Sequence, residues 1–510
     1  MKKLPIGIQT FSEIREDTYI YIDKTKFAYN LIKGYKYVFL SRPRRFGKSL
    51  FLDTLSEIFK ANKRYFKGLF IYDKWDWSIK YPVIKLSFTN SRSSKELISN
   101  IFKNLDLVQK ELNVTCKKDY NYSLCFADLI QKTYEKYNQK VVILIDEYDK
   151  AILDNLDQIE VAKENREILK SLYTQIKDND RYIKFAFLTG VSKFSKASIF
   201  SGLNNLRDIS LIPEFGDICG YTQNELDIYF KDFLANIDKE KLKKWYNGYN
   251  FLGSKVYNPF DILLFIDSGY KFDNYWFNTG TPTFLIKLFK KDRYNLAEFE
   301  ELRVSSSLID AFDIEYINFE TVLFQSGYLT IKEEIQRRNR IEYILTYPNI
   351  EVKVSFTDYI LNFLVQNRTL KYKLQDRLID TLEKSNLNEL KDILVSMFAS
   401  IAYNNFTNNP IANYEGFYAS IIYAYFAGAG FDDIKAEDVT SSGRVDLSVF
   451  LDRKVYIFEF KLNSKGALQQ IKEKEYYKKY LNSFDEIYIV GIEFNPDTKN
   501  ITNLEWERVK

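Results

Sequence analysis

The sequence predicts an α/β protein with more than one domain: a parallel sheet at the amino end, a helical and winged middle region, and a second α/β domain at the carboxyl end. Three observations carry this reading. Short apolar runs alternate with amphipathic helical stretches over residues 1–215, the pattern of parallel strands joined by crossover helices. Two short strands near the end, Val445 to Phe450 and Val455 to Leu462, bracket a turn at Asp452-Arg453. A chain of 510 residues also exceeds what one ordinary hydrophobic core serves.

Taken in order, the strand candidates of the first region are Tyr37 to Ser41, Val83 to Phe88, Val141 to Ile145 and Ile183 to Leu188. From about 220 to 350 the pattern turns irregular and helix-rich, with aromatic punctuation such as Trp245-Tyr246-Asn247-Gly248-Tyr249. Residues 355–405 read as amphipathic helices, in one of which Leu387, Leu390, Ile393, Leu394, Met397 and Phe398 recur at helical spacing. The expected division is 1–215, 216–350, a helical connector over 351–395, and 396–510. With no repeat and no low-complexity linker, these domains are expected to pack together.

Composition removes many functions. The chain has no histidine, which excludes Ser/His/Asp hydrolysis, His-metal nucleases and most zinc sites. Acid–base work falls to Asp, Glu, Lys, Tyr or metal-bound water. A net charge of +4 permits local basic grooves without demanding a polyanionic partner. Cys116, Cys125 and Cys219 match no metal-ligand spacing and are expected to stay reduced. Met1-Lys2-Lys3 leads into a polar stretch, not a secretory signal. The most apolar run, Gly416 to Phe431, is shorter than the roughly 20 residues a membrane span needs. A cytoplasmic protein without membrane contact is the expectation.

After the first strand comes Ser41-Arg42-Pro43-Arg44-Arg45-Phe46-Gly47-Lys48-Ser49, then a helical run from Leu50 to Lys60. This tail fits a nucleotide-binding P-loop. Gly47 lets backbone amides approach phosphate, Lys48 neutralises its oxygens, and Ser49 ligates magnesium. Arg42 stands where the pattern usually has its first glycine. Arg44 and Arg45 are read as phosphate contacts, as arginine fingers, or as braces of the loop. The run Val141 to Ile145 is apolar throughout, as a strand buried on both faces should be, and ends in Asp146-Glu147. There Asp146 would direct magnesium and Glu147 would activate water, at the sheet edge where such folds bind ligands. Thr189-Gly190-Val191-Ser192 is read as a sensor of the γ-phosphate, with Thr189 and Ser192 as its polar groups. ATP hydrolysis and ATP binding alone remain alternatives.

In the carboxyl-terminal hairpin Asp446 falls opposite Glu459, with Lys461 one pleat along on the same face. The reverse face, Val445, Leu447, Val449, Tyr456, Phe458 and Phe460, is apolar and expected to pack on helices. Two carboxylates and an ammonium on one strand pair suit a divalent metal beside a phosphodiester. Glu415 is a candidate third ligand. Gln470, near the start of a helix expected over Ala467 to Leu481, is a candidate hydrogen-bond partner of the site or of a DNA backbone.

On these residues the chain resembles bacterial and archaeal proteins that pair an AAA-ATPase-like domain with a carboxyl-terminal PD-(D/E)XK nuclease domain. Besides the motifs above, the resemblance rests on Asp146-Glu147-Tyr148-Asp149, Phe324-Gln325-Ser326-Gly327-Tyr328, Tyr347-Pro348-Asn349, Glu415-Gly416-Phe417-Tyr418, Gly443-Arg444-Val445-Asp446, Glu459-Phe460-Lys461 and Ala467-Leu468-Gln469-Gln470. It accounts for Arg42, since Arg-Pro-Arg-Arg-Phe-Gly-Lys-Ser is typical of the group. It implies a restriction-endonuclease-like fold at the carboxyl end, ATP and Mg²⁺ as cofactors, nucleic acid (DNA first) as partner, and a homo-oligomer as one state. Relatives often carry a histidine where this chain has Ala419, so that histidine is dispensable here or the nuclease is impaired. The alternative function is a nucleotide-switched binding module with an inactive nuclease fold.

Overall fold

The computed structural model describes all residues except 1, 89–90, 195–198, 201–202, 204, 278–288, 290–294, 310–313, 316, 366 and 402–413. Two compact units emerge, and each is discontinuous in sequence. The first comprises Met1–Trp276 and Val304–Ile344; the second comprises Phe277–Arg303 and Leu345–Lys510. Residues 277–303 therefore belong with the carboxyl-terminal fold although a long stretch of the first unit follows them, an excursion that linear boundaries do not contain.

In the first unit a five-stranded sheet has the order β2-β3-β4-β1-β5, with β1 Tyr37–Ser41, β2 Val83–Ser87, β3 Val141–Asp146, β4 Ile183–Gly190 and β5 Arg207–Asp208. All neighbours run parallel. Every residue of β3 is buried, as its unbroken apolar run requires of a strand covered on both faces. The register sets Ser41 beside Gly190 and Ile145 beside Leu188, so the loop after β1 opens next to the carboxyl ends of β3 and β4. Helices Ser94–Leu112 and Tyr122–Tyr137 start at Ser93 and Asn121, whose side chains accept hydrogen bonds from the backbone N–H of Glu96 and Leu124.

The irregular middle region has its own core. Helices Gln223–Tyr229, Lys239–Tyr246 and Pro259–Asp267 contribute Leu226, Tyr246 and Phe265 to a buried cluster that also takes in Ile20 and Ile22. The amino-terminal segment is thus a structural part of this region. A small pair, β6 Tyr221–Thr222 and β7 Val256–Tyr257, leads into and out of it. A further sheet has the order β8-β10-β9, with β8 Leu302–Ser305, β9 Thr330–Arg337 and β10 Arg340–Thr346. Helices Ser306–Ile309 and Phe319–Ser326 stand between β8 and β9, giving the strand–helices–hairpin succession of a winged element.

Cys116 and Cys125 correct the expectation that all three thiols stay reduced. They form a disulfide with their Cα atoms 5.2 Å apart. Asn113 ends one helix in the left-handed conformation and Asn121 caps the next, and the turn between them returns Cys125 to Cys116. Cys219 is free and buried. No helix among the described residues is long and apolar enough to cross a membrane.

The second unit is a mixed sheet of order β11-β12-β13-β14-β15, comprising Ile434–Thr440, Gly443–Leu451, Lys454–Leu462, Glu486–Asn495 and Asn500–Arg508. The central pair β13 and β14 is parallel and the flanking pairs are antiparallel. Helix Glu415–Gly428 covers one face, where Phe426 meets Phe458 and Tyr418 meets Phe494. The opposite face is a core as well: Val455, Ile457, Ile487 and Ile489 pack with Ile471, Tyr476 and Tyr480. Both faces of the hairpin are therefore covered, where the sequence reading expected one. The helix expected over Ala467 to Leu481 stops at Lys474, because Glu475 adopts a left-handed conformation, and a 3₁₀ turn, Tyr476–Tyr480, brings both tyrosines into that core.

Candidate functional site

The β12–β13 register is the one expected from the turn: Leu447 faces Phe458, Val449 faces Tyr456 and Leu451 faces Lys454, with Asp452 in the left-handed conformation. The ladder ends one pair short of Asp446 and Glu459. At that point the Asp446 carboxylate (Oδ2) takes over as acceptor from the backbone N–H of Phe460, at 2.6 Å. The strands part where the two acids stand, and Asp446 is fixed by β13 itself.

Glu459 is 2% exposed. Its Oε1 accepts a hydrogen bond from the Gln470 side-chain amide, while its Oε2 is buried without a partner among the described residues. Gln470 reaches Glu459 because Gly491 lies beside Glu459 on β14. A Cβ at 491 would stand 2.2 Å from the backbone nitrogen of Leu468, so glycine alone lets helix Ala467–Lys474 settle on the sheet here. Glu493 holds the same helix start by accepting from Gly466 N–H at 2.6 Å. Gly491→Ala is expected to cost about 1–3 kcal/mol through overpacking. It should also draw Gln470 away from Glu459, measurable as a lower unfolding midpoint together with weaker divalent-ion binding.

Burial raises the Asp446 carboxyl far above the usual carboxylate range, with Glu437 and Glu415 adding to the rise against the pull of the Phe460 N–H and Lys461. Burial likewise raises Glu459, reinforced by Asp446 and opposed by Lys461 and Gln470. Two carboxyls that each resist ionisation next to the other are what a divalent cation relieves. Glu415, at the start of its helix, accepts from Leu462 N–H at 3.0 Å through Oε2, which ties it to the end of β13. Among the described residues no group of three or more Asp, Glu or Cys side chains gathers closely enough to hold a metal. An ion here would be held by Asp446 and Glu459 and would keep several waters, as magnesium prefers; Glu415 lines the adjoining cleft.

A cleft of about 220 Å³ opens over Asp446, lined among others by Glu298, Glu415, Ala419, Glu437 and Phe460. Two of these acids escaped the sequence reading. Glu437 lies on β11, where the register with β12 sets it beside Asp446. Its signal was the short strand Ile434–Thr440, whose pairing with Gly443 onward places an acid next to the aspartate. Glu298 comes from residues 277–303, and nothing in its local sequence points to a site more than a hundred residues away. Burial raises its carboxyl, and Glu437 adds to the rise. The 3₁₀ turn Leu296–Glu300 that carries it is fixed to helix Glu415–Gly428. Leu296 N–H donates to Ser420 Oγ at 2.9 Å, Ser420 donates to Asn295 Oδ1 at 3.0 Å, and the Tyr423 hydroxyl donates to Glu300, which also pairs with Lys353 at 2.6 Å.

The nucleotide-loop residues form a second constellation, in the first unit. Helix Lys48–Phe59 begins after Gly47 in the left-handed conformation, and no side chain among the described residues caps it. Its first amides are therefore free for an anion, and the left-handed Arg45 precedes them in the loop. The Lys48 ammonium donates to the carbonyls of Arg42 and Pro43, both at 2.9 Å; burial lowers its pKa, and of the surrounding charges Asp146 opposes this most. Ser49 lies in the first turn, half-buried. Arg42 has a structural task. It is 1% exposed, donates to the carbonyls of Ser41, Ser210, Phe215 and Gly216, and lies over the Phe251 ring at 4.0 Å. It pins the loop where the usual pattern has glycine. Arg44 is partly exposed and 3.9 Å from Asp154, and Arg45 stacks on Phe260 at 4.6 Å, so both brace the loop here.

At the ends of β3 and β4 the two motifs are wired together. Asp149 is buried and accepts from Ser192 N–H and from Ser192 Oγ, both at 2.6 Å. The Tyr148 hydroxyl donates to Ser192 O at 3.0 Å, and Thr189 Oγ1 donates to Leu40 O at 2.9 Å. A Cβ at Gly190 would lie 2.3 Å from Asp149, so glycine is needed for this approach. Both hydroxyls expected to sense phosphate are thus committed to protein acceptors. Asp146 is buried with Oδ1 accepting from Glu147 N–H, and Glu147, in the left-handed conformation, keeps its side chain 44% exposed.

The two constellations define a protein with an AAA-ATPase-like unit and a PD-(D/E)XK nuclease-like unit. Residues 5–200 match a family model described as predicted AAA-ATPase, and residues 413–504 match the PD-(D/E)XK nuclease superfamily. The chain belongs to the family that combines them. Over 507 residues it is 44% identical to "Uncharacterized protein in vnfD 5′ region" of Azotobacter chroococcum mcd 1, covering 98% of each chain. Among solved structures, Cdc6p of Pyrobaculum aerophilum matches over 66% of this chain and 92% of its own, at 10% identity and a TM-score of 0.24, too distant a likeness to bear on fold or function.

Proposed function

We propose that this protein is an ATP-regulated, magnesium-dependent nuclease that cleaves DNA phosphodiesters in its carboxyl-terminal cleft. The observation that carries the reading is Glu459: a buried carboxylate with one oxygen held by Gln470, the other without a partner among the described residues, and Asp446 beside it. A structural acid would be satisfied on both oxygens or replaced by an apolar residue. Asp446 and Glu459 would hold the ion, with Glu415 at the edge of its shell. When bound, the ion supplies a water acidic enough to attack at neutral pH and offsets charge on the phosphate. Lys461 balances the two acids and orients the attacking water. Gln470 keeps Glu459 in one rotamer.

In the first unit, Gly47, Lys48 and the uncapped helix amides would cradle ATP phosphates, and Ser49 with Asp146 would hold its magnesium. Arg44 and Arg45 shape the loop, and Glu147 positions water for hydrolysis. Thr189 and Ser192 transmit the state of the loop through Leu40 and Asp149. The compartment proposed is the cytoplasm, with a homo-oligomer as one state.

The test is cleavage of plasmid and single-stranded DNA with magnesium, with and without ATP. Lys461→Ala is expected to lower the rate by about 10²-fold or more with the fold unchanged. Equal cutting by wild type and variant would end the reading. A second reading, a nucleotide-switched binding module with an inactive nuclease fold, draws on Ala419, which lines the cleft where relatives often have histidine. It requires magnesium to leave DNA uncut while salt-sensitive binding persists.

A further inference from the structure

The β9–β10 hairpin ends in a cluster that neither candidate site uses. Arg337 closes β9, Arg338 takes the left-handed conformation in the turn, and Arg340 opens β10. Arg337, Arg338, Asn339, Arg340 and Ile341 are all exposed, and Ile341 leaves 42% of its surface in solvent. Among the described residues none of the three guanidiniums has a carboxylate within ion-pair distance, unlike Arg453 in the β12–β13 turn, which pairs with Asp485. Three unpaired guanidiniums in four positions repel one another, and an apolar side chain among them gains nothing from water. Both costs are recovered on a polyanion with an apolar floor.

We propose that this hairpin tip is a docking element for duplex DNA. It rests on the nuclease reading, and it names where the substrate is gripped away from the cleft. A two-stranded ribbon fits the B-DNA major groove, about 12 Å wide, whereas the deep, narrow major groove of an RNA duplex shuts it out. The guanidinium forks match phosphate oxygens or the guanine edge, and Asn339 offers an amide to the adenine edge. Ile341 meets thymine methyls or wedges at a base step. An anionic membrane is the weaker partner, because one exposed isoleucine buries far too little apolar area to anchor a chain.

The test measures binding of the full-length protein to a 25-base-pair DNA duplex in EDTA over a range of salt concentrations, with cleavage in magnesium followed in parallel. Each lost phosphate contact lowers the slope of log K against log[salt] by about 0.9. The triple variant Arg337→Ala/Arg338→Ala/Arg340→Ala is expected to lose about two to three in slope and at least about tenfold in affinity near physiological salt. The matching triple lysine variant should keep the slope, which separates lost charge from a damaged turn. Ile341→Ala should weaken binding without moving the slope. Wild type and triple-alanine variant binding alike, with equal slopes, would overturn the docking role while leaving the nuclease reading intact. Absence of DNA cleavage with the slope difference retained would do the reverse. Binding of the wild type to phosphatidylserine vesicles and not to the duplex would overturn the proposal in favour of a membrane contact.

Discussion

Glu459→Gln is expected to abolish metal-dependent cleavage, by about 10³-fold or more, and at the same time to raise the unfolding midpoint of the metal-free protein. The two effects have one cause. Glu459 is buried beside Asp446 with an oxygen that no described group satisfies. In the absence of an ion, ionising both acids places like charges together in a poorly solvated site. Glutamine removes that repulsion and keeps the shape, but offers a weaker ligand. A residue kept for stability would show the opposite sign, a lower midpoint on substitution.

The same electrostatics fix a pH dependence. Burial raises both carboxyls, so their protonated forms are favoured in the folded state more than in the unfolded chain. Their stabilising contribution is complete below the unfolded carboxyl range, near pH 4, and is lost as pH rises through the raised folded values. The metal-free protein should therefore lose stability between about pH 5 and pH 8. Magnesium or manganese should restore it most at the upper end, because the ion binds the ionised pair. Thermal unfolding at both pH values, with and without ion, reads this directly; Glu459→Gln should flatten the metal-free trend.

The second large effect is expected at Lys48. Lys48→Ala should lower ATP affinity by at least about 100-fold, the loss of a charge-assisted contact in a buried site. Here the ammonium rests on the carbonyls of Arg42 and Pro43 at 2.9 Å each. Those bonds hold the loop shut on itself, so phosphate must compete for the same ammonium while the free amides after Gly47 take the remaining oxygens. The variant should stay folded, because Arg42 pins the loop independently through four backbone carbonyls. Fluorescent-nucleotide titration together with thermal unfolding separates the outcomes. Unchanged affinity would remove the nucleotide site from this loop.

Much of this was legible in the sequence because it rests on local patterns. The β12–β13 register follows from the turn at Asp452 and strict alternation, and the apolar run Val141 to Ile145 announces a strand covered on both sides. What escaped lies outside the β12–β13 hairpin. Glu437 stands beside Asp446 on the neighbouring strand β11, a local pairing that the sequence reading did not take in, and Glu298 comes to the cleft by long-range packing, from a 3₁₀ turn fixed to a helix that begins at Glu415. The part of Gly491 is visible only once helix Ala467–Lys474 is seen resting on it. Thr189 and Ser192 look like free hydroxyls in sequence, but Leu40 and Asp149 claim them. Arg42 breaks the usual loop pattern and becomes its brace, a compensation spread over residues 41 to 216.

The most direct test of the central claim is calorimetric titration of Mn²⁺ or Mg²⁺ into the wild type, Asp446→Asn and Glu459→Gln, each with the nucleotide site silenced by Lys48→Ala. The expected result is divalent-ion binding at the Asp446–Glu459 pair, stronger at pH 8 than at pH 6, that both substitutions remove. Equal binding by all three proteins, or none by the protein with an intact cleft, would contradict it.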